Sequence, residues 1–167
     1  MVSLCTPNAF TDLLSFINNE FVPGIEGKTF DSINPSTEKP IVAVHEATEK
    51  DVDKAVSVAR KTFETTWRKV IPQERGKYLT KLADLFERDL DQLAAIEALD
   101  NGKAFGMAKV DIGMCAGTLR YYGGWSDKIE GKVIETNAET FNYTKQEPVR
   151  PSLSSLCTFH LPLWLSK

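Results

Sequence analysis

The spacing of hydrophobic positions changes twice along this chain, and each change predicts a change of secondary structure. Before residue 46 the apolar residues form short runs that predict strands over 16–22, 29–33 and 41–44. From residue 48 to about residue 129 they recur every three or four positions, as in helices with one buried face. Apolar and polar residues then alternate over 132–135 and 140–147. This alternation predicts a β-hairpin that turns at 136–139.

Residues with known cap preferences mark the ends of the predicted helices. Thr48 and Asp51 have the spacing of a capping box, with Asp where Glu is usual. Pro72 suits the first position of a second helix, because a proline there loses no hydrogen bond. Asp89 suits the N-cap of a third helix, and Asn101-Gly102 supplies residues that tolerate a left-handed C-cap.

A fourth helix is predicted over about 108–129, although glycines lie within and beside it. Each interior glycine costs ~1 kcal/mol relative to alanine, so this helix is expected to depend on tight packing against neighbours. Tyr121, Tyr122 and Trp125 lie three and four positions apart, on one side of the helix. Such an aromatic stripe is more often core packing than a ligand site, so these rings are predicted to be buried.

The composition excludes several classes of function. A chain of 167 residues suits one domain. Its 20 basic and 23 acidic side chains are interspersed and give a net charge of −3, so neither nucleic acid nor a membrane is an expected partner. Residues 1–12 lack the features of a secretory signal, and no apolar run approaches the ~18 residues of a membrane span. Three distant cysteines argue against disulfides and favour the cytoplasm.

Candidate chemistry is sparse. Cys115 lies in mid-helix and is predicted to be a buried, inert thiol. Cys157 and His160 could form a nucleophile and base, but nothing in their surroundings would orient them, and Cys5 lies near the terminus. The two histidines are too separated to build a metal site with the cysteines. Glycine spacing over 102–106 and 113–117 does not match a dinucleotide-binding loop.

Glu97 and Asp100 allow two interpretations. They stand three residues apart on a helix, so they could act as an acid–base pair. The more ordinary interpretation is a solvated helix face.

Several blocks of sequence in order resemble a known family, the NAD(P)-dependent aldehyde dehydrogenases. The resemblance covers about residues 16–149, the N-terminal third of the family, and rests on 16–21, 33–37, 99–103, 119–132 and 141–149. It implies an α/β fold: N-terminal strands plus the helical lead-in of the cofactor domain, and a β-hairpin arm used in oligomerisation. The implied organisation is a tail (1–15), the family-like part (16–131), the hairpin arm (132–149) and a divergent tail (150–167).

The resemblance also implies what these residues do not supply. Family members oxidise aldehydes to carboxylic acids with NAD or NADP. Their nucleophile, general base, oxyanion asparagine, Rossmann-like sheet and cofactor loop all follow the part resembled here. The chain is therefore expected to be a truncated, inactive member that binds no dinucleotide itself. One family feature does fall on residues present here, a monovalent-cation site with backbone oxygens of Ser32 and Ile33 and the carboxylate of Asp100.

The likeness stops at Val149, and residues 150–167 are rich in Ser, Leu and Pro. A shifted reading frame or a retained intron would produce such a break. The first alternative function is a subunit-interaction fragment, which pairs through its hairpin with a second copy or a full-length paralogue. A stand-alone helical binding module is the second alternative. In the family the helices pack on the cofactor-binding sheet, so Leu82, Phe86, Leu93 and Trp125 are expected to lose neighbours and leave a marginally stable, aggregation-prone chain.

Overall fold

The computed structural model describes residues 13–147, which form a mixed α/β arrangement of three antiparallel β-hairpins and a helical group. A short 3₁₀ turn at Trp67–Lys69 follows the first helix. The elements in chain order are β1 (Ser15–Ile17), β2 (Glu20–Val22), β3 (Thr29–Ile33), β4 (Pro40–His45), α1 (Glu49–Thr65), α2 (Pro72–Arg88), α3 (Leu90–Asn101), α4 (Phe105–Trp125), β5 (Val133–Asn137) and β6 (Thr140–Tyr143).

The single strand predicted over 16–22 is wrong, because the chain reverses in its middle. Asn18 and Asn19 both adopt positive φ, at 57° and 64°, and join β1 to β2 as a two-residue hairpin turn. Asparagine tolerates this conformation and the paired positive φ values suit hairpin twist. Phe16 and Phe21 then face each other across the strands, with ring centroids 4.9 Å apart.

The predictions for the next two strands are confirmed. β3 pairs with β4 from Thr29 opposite His45 to Ile33 opposite Pro40. The register shifts between Ser32 and Ile33, and such an irregularity bends the strand and interrupts regular pairing. The turn that follows is held by Asn34, whose side-chain oxygen accepts the Ser36 N–H at 2.8 Å.

The predicted starts of α1, α2 and α3 are confirmed, but the predicted capping role of the Asp89 side chain is not. Asp51 accepts hydrogen bonds from the backbone and hydroxyl of Thr48, and Pro72 opens α2. Asp89 does stand at the N-cap of α3, but its side chain caps no backbone N–H. Its carboxylate instead accepts two hydrogen bonds from the Arg88 guanidinium, because an ionic partner on the adjacent residue competes for the same oxygens.

The core lies where α2 and α3 pack on α4. Gly76 and Gly123 allow α2 and α4 to approach closely, since a Cβ on Gly76 would stand 2.6 Å from the Gly123 carbonyl oxygen. Phe86 and Leu93 are buried here, contrary to the expectation that they would lose their neighbours, whereas Leu82 is partly buried at the core edge. The buried set is Ala83, Phe86, Leu93, Ala94, Ala108, Ile112 and Ala116.

The prediction that the aromatic stripe of the fourth helix is buried is wrong. α4 begins and ends earlier than predicted, and its Tyr121, Tyr122 and Trp125 side chains are exposed by 59%, 60% and 47%. The covered face of α4 carries smaller residues, such as Ala108 and Ile112, on the opposite side. Periodicity shows that a helix has an apolar face but not which of two apolar faces is covered.

The C-terminal hairpin is confirmed with a shorter turn than predicted. β5 continues to Asn137, whose side-chain oxygen accepts the Glu139 N–H and the Thr140 hydroxyl and thereby closes the turn. Every residue of β5 and β6 is exposed. The two strands pair with each other and leave their outer edges open within residues 13–147.

Candidate functional site

A polar, partly buried region lies where the C-terminus of α3 meets the turn after β3. Gly102 ends α3 in the left-handed conformation, with φ of 79°, as the sequence predicted. A Cβ at this position would stand 2.6 Å from Cγ of Pro35. Glycine is therefore needed twice here, for the backbone conformation and for the close contact between the helix end and the turn.

Asp100 and Ser32 are brought together at this junction, although they are 68 residues apart in sequence. The Ser32 hydroxyl donates to Oδ1 of Asp100 over 2.6 Å. A carboxylate in the last turn of a helix faces the negative end of the helix dipole, so it requires a compensating partner. The Ser32 hydroxyl supplies one hydrogen-bond donor of this kind.

Glu97 does not lie on a solvated face, and that interpretation is wrong. Its side chain is buried, and Lys103 reaches both Glu97 at 2.8 Å and Asp111 at 2.9 Å. The hydrogen bonds that the Lys103 ammonium donates to Glu97 and then to Asp111 raise the pKa of Lys103. A buried carboxylate is stable when it is paired with a positive charge. Here the fold provides the ammonium of Lys103, which directly follows Gly102 at the end of α3.

Sequence reasoning gave Lys103 and Asp111 no role, although Lys103 lies within a block that carried the family resemblance. A usable signal was the position of Lys103 directly after the Gly102 cap. The chain turns there, and the side chain can reach back to the last turn of α3.

Cys115 lies one turn beyond Asp111, at the edge of the core. Its side chain is partly exposed rather than fully buried. Burial raises the pKa of the Cys115 thiol, and the negative charges of Asp111 and Glu97 raise it further. The thiolate is the reactive form, so these surroundings disfavour nucleophilic chemistry.

The structure brings together some of the residues that the sequence analysis predicts to bind a monovalent cation. Ser32 and Ile33 flank the register shift of β3, and Asp100 contacts the Ser32 side chain. A carboxylate beside backbone oxygens suits a hard cation. Residues 13–147 contain no group of three or more His, Cys, Asp or Glu side chains placed to hold a metal. The cation site therefore stays a prediction.

Residues 13–147 contain no Rossmann-type strand–loop–helix unit for a dinucleotide. Such a cofactor lies at a helix N-terminus that follows a parallel strand and a glycine loop. All three sheets within 13–147 are two-stranded and antiparallel, and no such loop joins them to a helix.

Cys5, Cys157 and His160 lie outside the described residues. Within the described part, no helix combines the length and apolar character that crossing a bilayer requires.

Comparisons with known proteins define the class of this chain. A family model described as "Aldehyde dehydrogenase family" matches residues 21–167. An aldehyde dehydrogenase from Aspergillus niger is 64% identical over 150 residues, which is 88% of this chain and 30% of that protein. A mitochondrial aldehyde dehydrogenase from Mesocricetus auratus is 46% identical over 146 residues, with 86% and 29% covered.

Solved structures agree with the sequence matches. The NAD+ complex of an aldehyde dehydrogenase from Bacillus cereus superposes with a TM-score of 0.82 at 44% identity, over 85% of this chain and 30% of that one. The chain belongs to the aldehyde dehydrogenase family. The family resemblance seen in the sequence is thereby confirmed, and the chain spans about 30% of the length of the relatives it matches. The end of the family resemblance at Val149, which the sequence analysis predicts, stays a prediction.

Proposed function

We propose that these residues serve as the N-terminal part of an NAD(P)-dependent enzyme that oxidises aldehydes to carboxylic acids, and that they do not catalyse the reaction by themselves. The observation that supports this is 64% identity to an aldehyde dehydrogenase over 88% of the chain, which covers only 30% of that relative. The three widely spaced cysteines favour the cytoplasm as its location.

The proposed lack of catalysis rests on what aldehyde oxidation needs. It requires a thiolate nucleophile, donors for the developing oxyanion and a base that activates water. Cys115 is held in the thiol form by burial and by neighbouring carboxylates. Residues 13–147 also lack a Rossmann-type strand–loop–helix unit, so no step of the reaction is assigned to them.

The polar cluster at the end of α3 has a structural role in this proposal. Lys103 joins α3 to α4 through Glu97 and Asp111, and Ser32 joins β3 to α3 through Asp100. A monovalent cation at Ser32, Ile33 and Asp100 would strengthen the contact between β3 and α3. Potassium chloride should then raise the melting temperature more than choline chloride at equal ionic strength, and Asp100→Asn should remove the difference. Equal effects of both salts on the unaltered chain would contradict the site.

A nicotinamide assay tests the proposed lack of catalysis. The purified 167-residue chain is incubated with NAD or NADP and with short aliphatic or aromatic aldehydes, and absorbance of the reduced cofactor is followed. We expect no rate above a heat-inactivated control. A rate that is lost in Cys115→Ala would show that this thiol is the nucleophile after all.

A second candidate function is subunit pairing, with another copy or with a full-length relative. The supporting observation is the β5–β6 hairpin, whose residues are all exposed and whose outer strand edges have no partner among residues 13–147. An open strand edge with apolar side chains is a template for pairing with another chain.

Co-purification tests this pairing. Tagged chain is expressed with full-length Aspergillus niger aldehyde dehydrogenase, and retention of the untagged protein is measured. Phe141→Pro, which removes a backbone N–H from β6, should reduce retention. Lys61→Leu on the exposed side of α1 is the control. Equal retention by Phe141→Pro and the unaltered chain would argue against the hairpin as the pairing element.

A further inference from the structure

The end of α3 carries a reactive pair of residues, Asn101 and Gly102. Asn101 is the one asparagine in the sequence that a glycine follows. The backbone nitrogen of the residue after an asparagine can attack the side-chain amide carbon, and glycine presents that nitrogen without a Cβ in the way. Both residues are exposed, so water reaches them. The pair therefore has the composition and the solvent access that this attack requires.

The fold requires glycine after Asn101 but does not hold the Asn101 side chain. Gly102 has a φ of 79°, and a Cβ there would stand 2.6 Å from Cγ of Pro35. A residue that reacts more slowly with the asparagine therefore does not fit at this position. The Asn101 side chain makes no hydrogen bond with any of residues 13–147. Its amide carbon is thus open to attack from the neighbour that the fold imposes.

The helix cap opposes the reaction while it is closed. The Gly102 N–H donates to the carbonyl oxygen of Ala98 over 3.0 Å, and this hydrogen bond completes the last turn of α3. The Gly102 nitrogen must leave Ala98 before it can bond to the Asn101 side chain. Helix ends open at a lower free-energy cost than the core does. The rate of attack is therefore set by how often the end of α3 opens.

We propose that Asn101 is a site of spontaneous deamidation, that opening of the α3 cap controls its rate, and that its conversion weakens the junction of α3 with β3. The Gly102 nitrogen forms a bond to Cγ of Asn101. The side-chain nitrogen leaves as ammonia with the proton that the Gly102 nitrogen gives up. Water then opens the resulting succinimide at one of its two carbonyls, and aspartate or isoaspartate is left at position 101. No atom is oxidised or reduced, and water is the co-reactant.

Both products add a negative charge to a helix end that already carries two. Asp100 is the adjacent residue and Glu97 lies one turn earlier, and these carboxylates stand at the negative end of the α3 dipole. The ammonium of Lys103 is already paired with Glu97 and Asp111. A further carboxylate at position 101 is therefore unfavourable in the folded chain.

Isoaspartate also changes the length of the backbone. Its main chain passes through the former side chain and gains one carbon before Gly102, so the glycine moves relative to Pro35. The same stretch of α3 holds Asp100 against the Ser32 hydroxyl over 2.6 Å. Both contacts between α3 and the strand side are thereby weakened.

Ageing of the purified 167-residue chain in mildly alkaline buffer tests the site. The chain is digested at intervals, and mass spectrometry follows deamidation at each asparagine. Labelling by an isoaspartyl methyltransferase identifies the isoaspartate fraction. We expect Asn101 to convert on the order of tenfold faster than Asn18 or Asn19, which are also exposed but precede residues that have a Cβ. Equal rates at the three positions would contradict the proposal.

The same chain in urea tests the role of the cap. Urea unfolds α3 and frees the Gly102 nitrogen from Ala98, so Asn101 should convert on the order of tenfold faster than in buffer. A rate in urea that is equal to or lower than the rate in buffer would show that the cap does not control the reaction.

Two substitutions measure the effect of conversion on the junction. Asn101→Asp carries the charge of the product, whereas Asn101→Gln keeps a neutral amide and is the matched control. Asn101→Asp should lower the equilibrium constant for folding by about two- to fivefold and accelerate hydrogen exchange of the Gly102 N–H, because a negative charge at this helix end is unfavourable. Asn101→Gln should change neither quantity.

The aged chain supplies the isoaspartate form, which anion exchange separates from unconverted protein. Its Gly102 N–H should exchange at least as fast as that of Asn101→Asp. The conversion does not weaken the junction if Asn101→Asp and Asn101→Gln fold equally well, or if the aged fraction exchanges as slowly as fresh protein.

Discussion

Two single residues connect elements that are distant in sequence. Gly102 allows the end of α3 to contact Pro35 in the turn after β3. Asp51 is buried at the start of α1, where its carboxylate accepts hydrogen bonds from Thr48 and from the Ile25 backbone N–H. Each residue thus caps one end of its helix. Each also connects that helix to a loop next to a strand, through Pro35 for Gly102 and through Ile25 for Asp51.

Substitution of Gly102 by alanine should destabilise the chain by about 1–2 kcal/mol, because a Cβ is disfavoured at positive φ, and the contact with Pro35 adds to this. Gly113→Ala is the matched control. Its Cβ meets open space in mid-helix, so the same change should stabilise the chain by up to about 1 kcal/mol. Urea denaturation followed by circular dichroism measures both. Effects of the same sign would contradict this account.

Asp51 should make stability depend on pH. Hydrogen bonds from the Thr48 backbone, then its hydroxyl, hold the pKa of Asp51 below its ordinary value of 3.8. A lowered pKa in the folded state means that this stabilisation is present above 3.8 and is lost as the pH falls through the folded-state pKa.

Asp51→Asn should therefore be less stable than the unaltered chain near neutral pH, and the gap in unfolding free energy should narrow as the pH falls below 3.8. Asp89 and Asp127, whose pKa values are lowered by Arg88 and Lys128, contribute in both proteins and cancel in the comparison. Chemical denaturation at a series of pH values supplies the test. A gap that does not change with pH would exclude a role for the Asp51 charge.

At the scale of elements, α4 is the helix around which the described fold is organised. α2 crosses it through Gly76 and Gly123, and α3 packs beside it through Leu93 and Ala94. Its covered face consists mainly of small side chains, which allow close crossings but bury little apolar area per residue. The opposite face of α4, called here the outer face, carries large exposed apolar side chains between Met107 and Trp125.

The two faces of α4 should respond differently to the same kind of substitution. Ile112→Ala removes a side chain that is 0% exposed and should destabilise the chain by about 2–5 kcal/mol. Val110→Ala removes one that is 53% exposed and should change stability by about 0.5 kcal/mol or less. Denaturant midpoints of the two variants decide the matter. A large loss in Val110→Ala would mean that the outer face is covered in the isolated chain.

At the scale of the whole molecule, exposed apolar area is large relative to the core. Apart from Ile17, the buried apolar side chains of residues 13–147 lie at the contacts of α2, α3 and α4, while apolar side chains of α4 and of the C-terminal hairpin remain in solvent. Contiguous apolar surface of this kind promotes association. Net stabilities of domains are only ~5–15 kcal/mol, so a small core leaves little reserve.

The isolated chain is thus expected to melt over a broad range and to associate as its concentration rises. Met114→Glu, which places a charge in the centre of the outer face, should raise the concentration at which light scattering begins, with helix content unchanged. Lys61→Glu on α1 adds acidity outside this face and is the control. A sharp, cooperative melt of a monomer, or equal effects of both variants, would contradict the role given to the outer face.

Local sequence signals predicted the parts of this fold that depend on neighbours in the chain. The Thr48–Asp51 capping box, Pro72 at a helix start and Gly102 at a helix end are each determined by the hydrogen bonds and φ angles of a few consecutive residues. The same holds for β3, β4 and the C-terminal hairpin. The family resemblance was visible for a related reason, because it rests on short blocks in a fixed order.

Tertiary structure decided whatever depends on contacts between distant residues. Ser32 and Asp100 meet only when α3 is placed beside β3, and Glu97 became buried because Lys103 and Asp111 were brought to it. The same packing covered the small residues of α4 and left its aromatic side chains in solvent. A sequence shows that a helix has apolar faces. Which of these faces is covered depends on the other elements that the fold places against the helix.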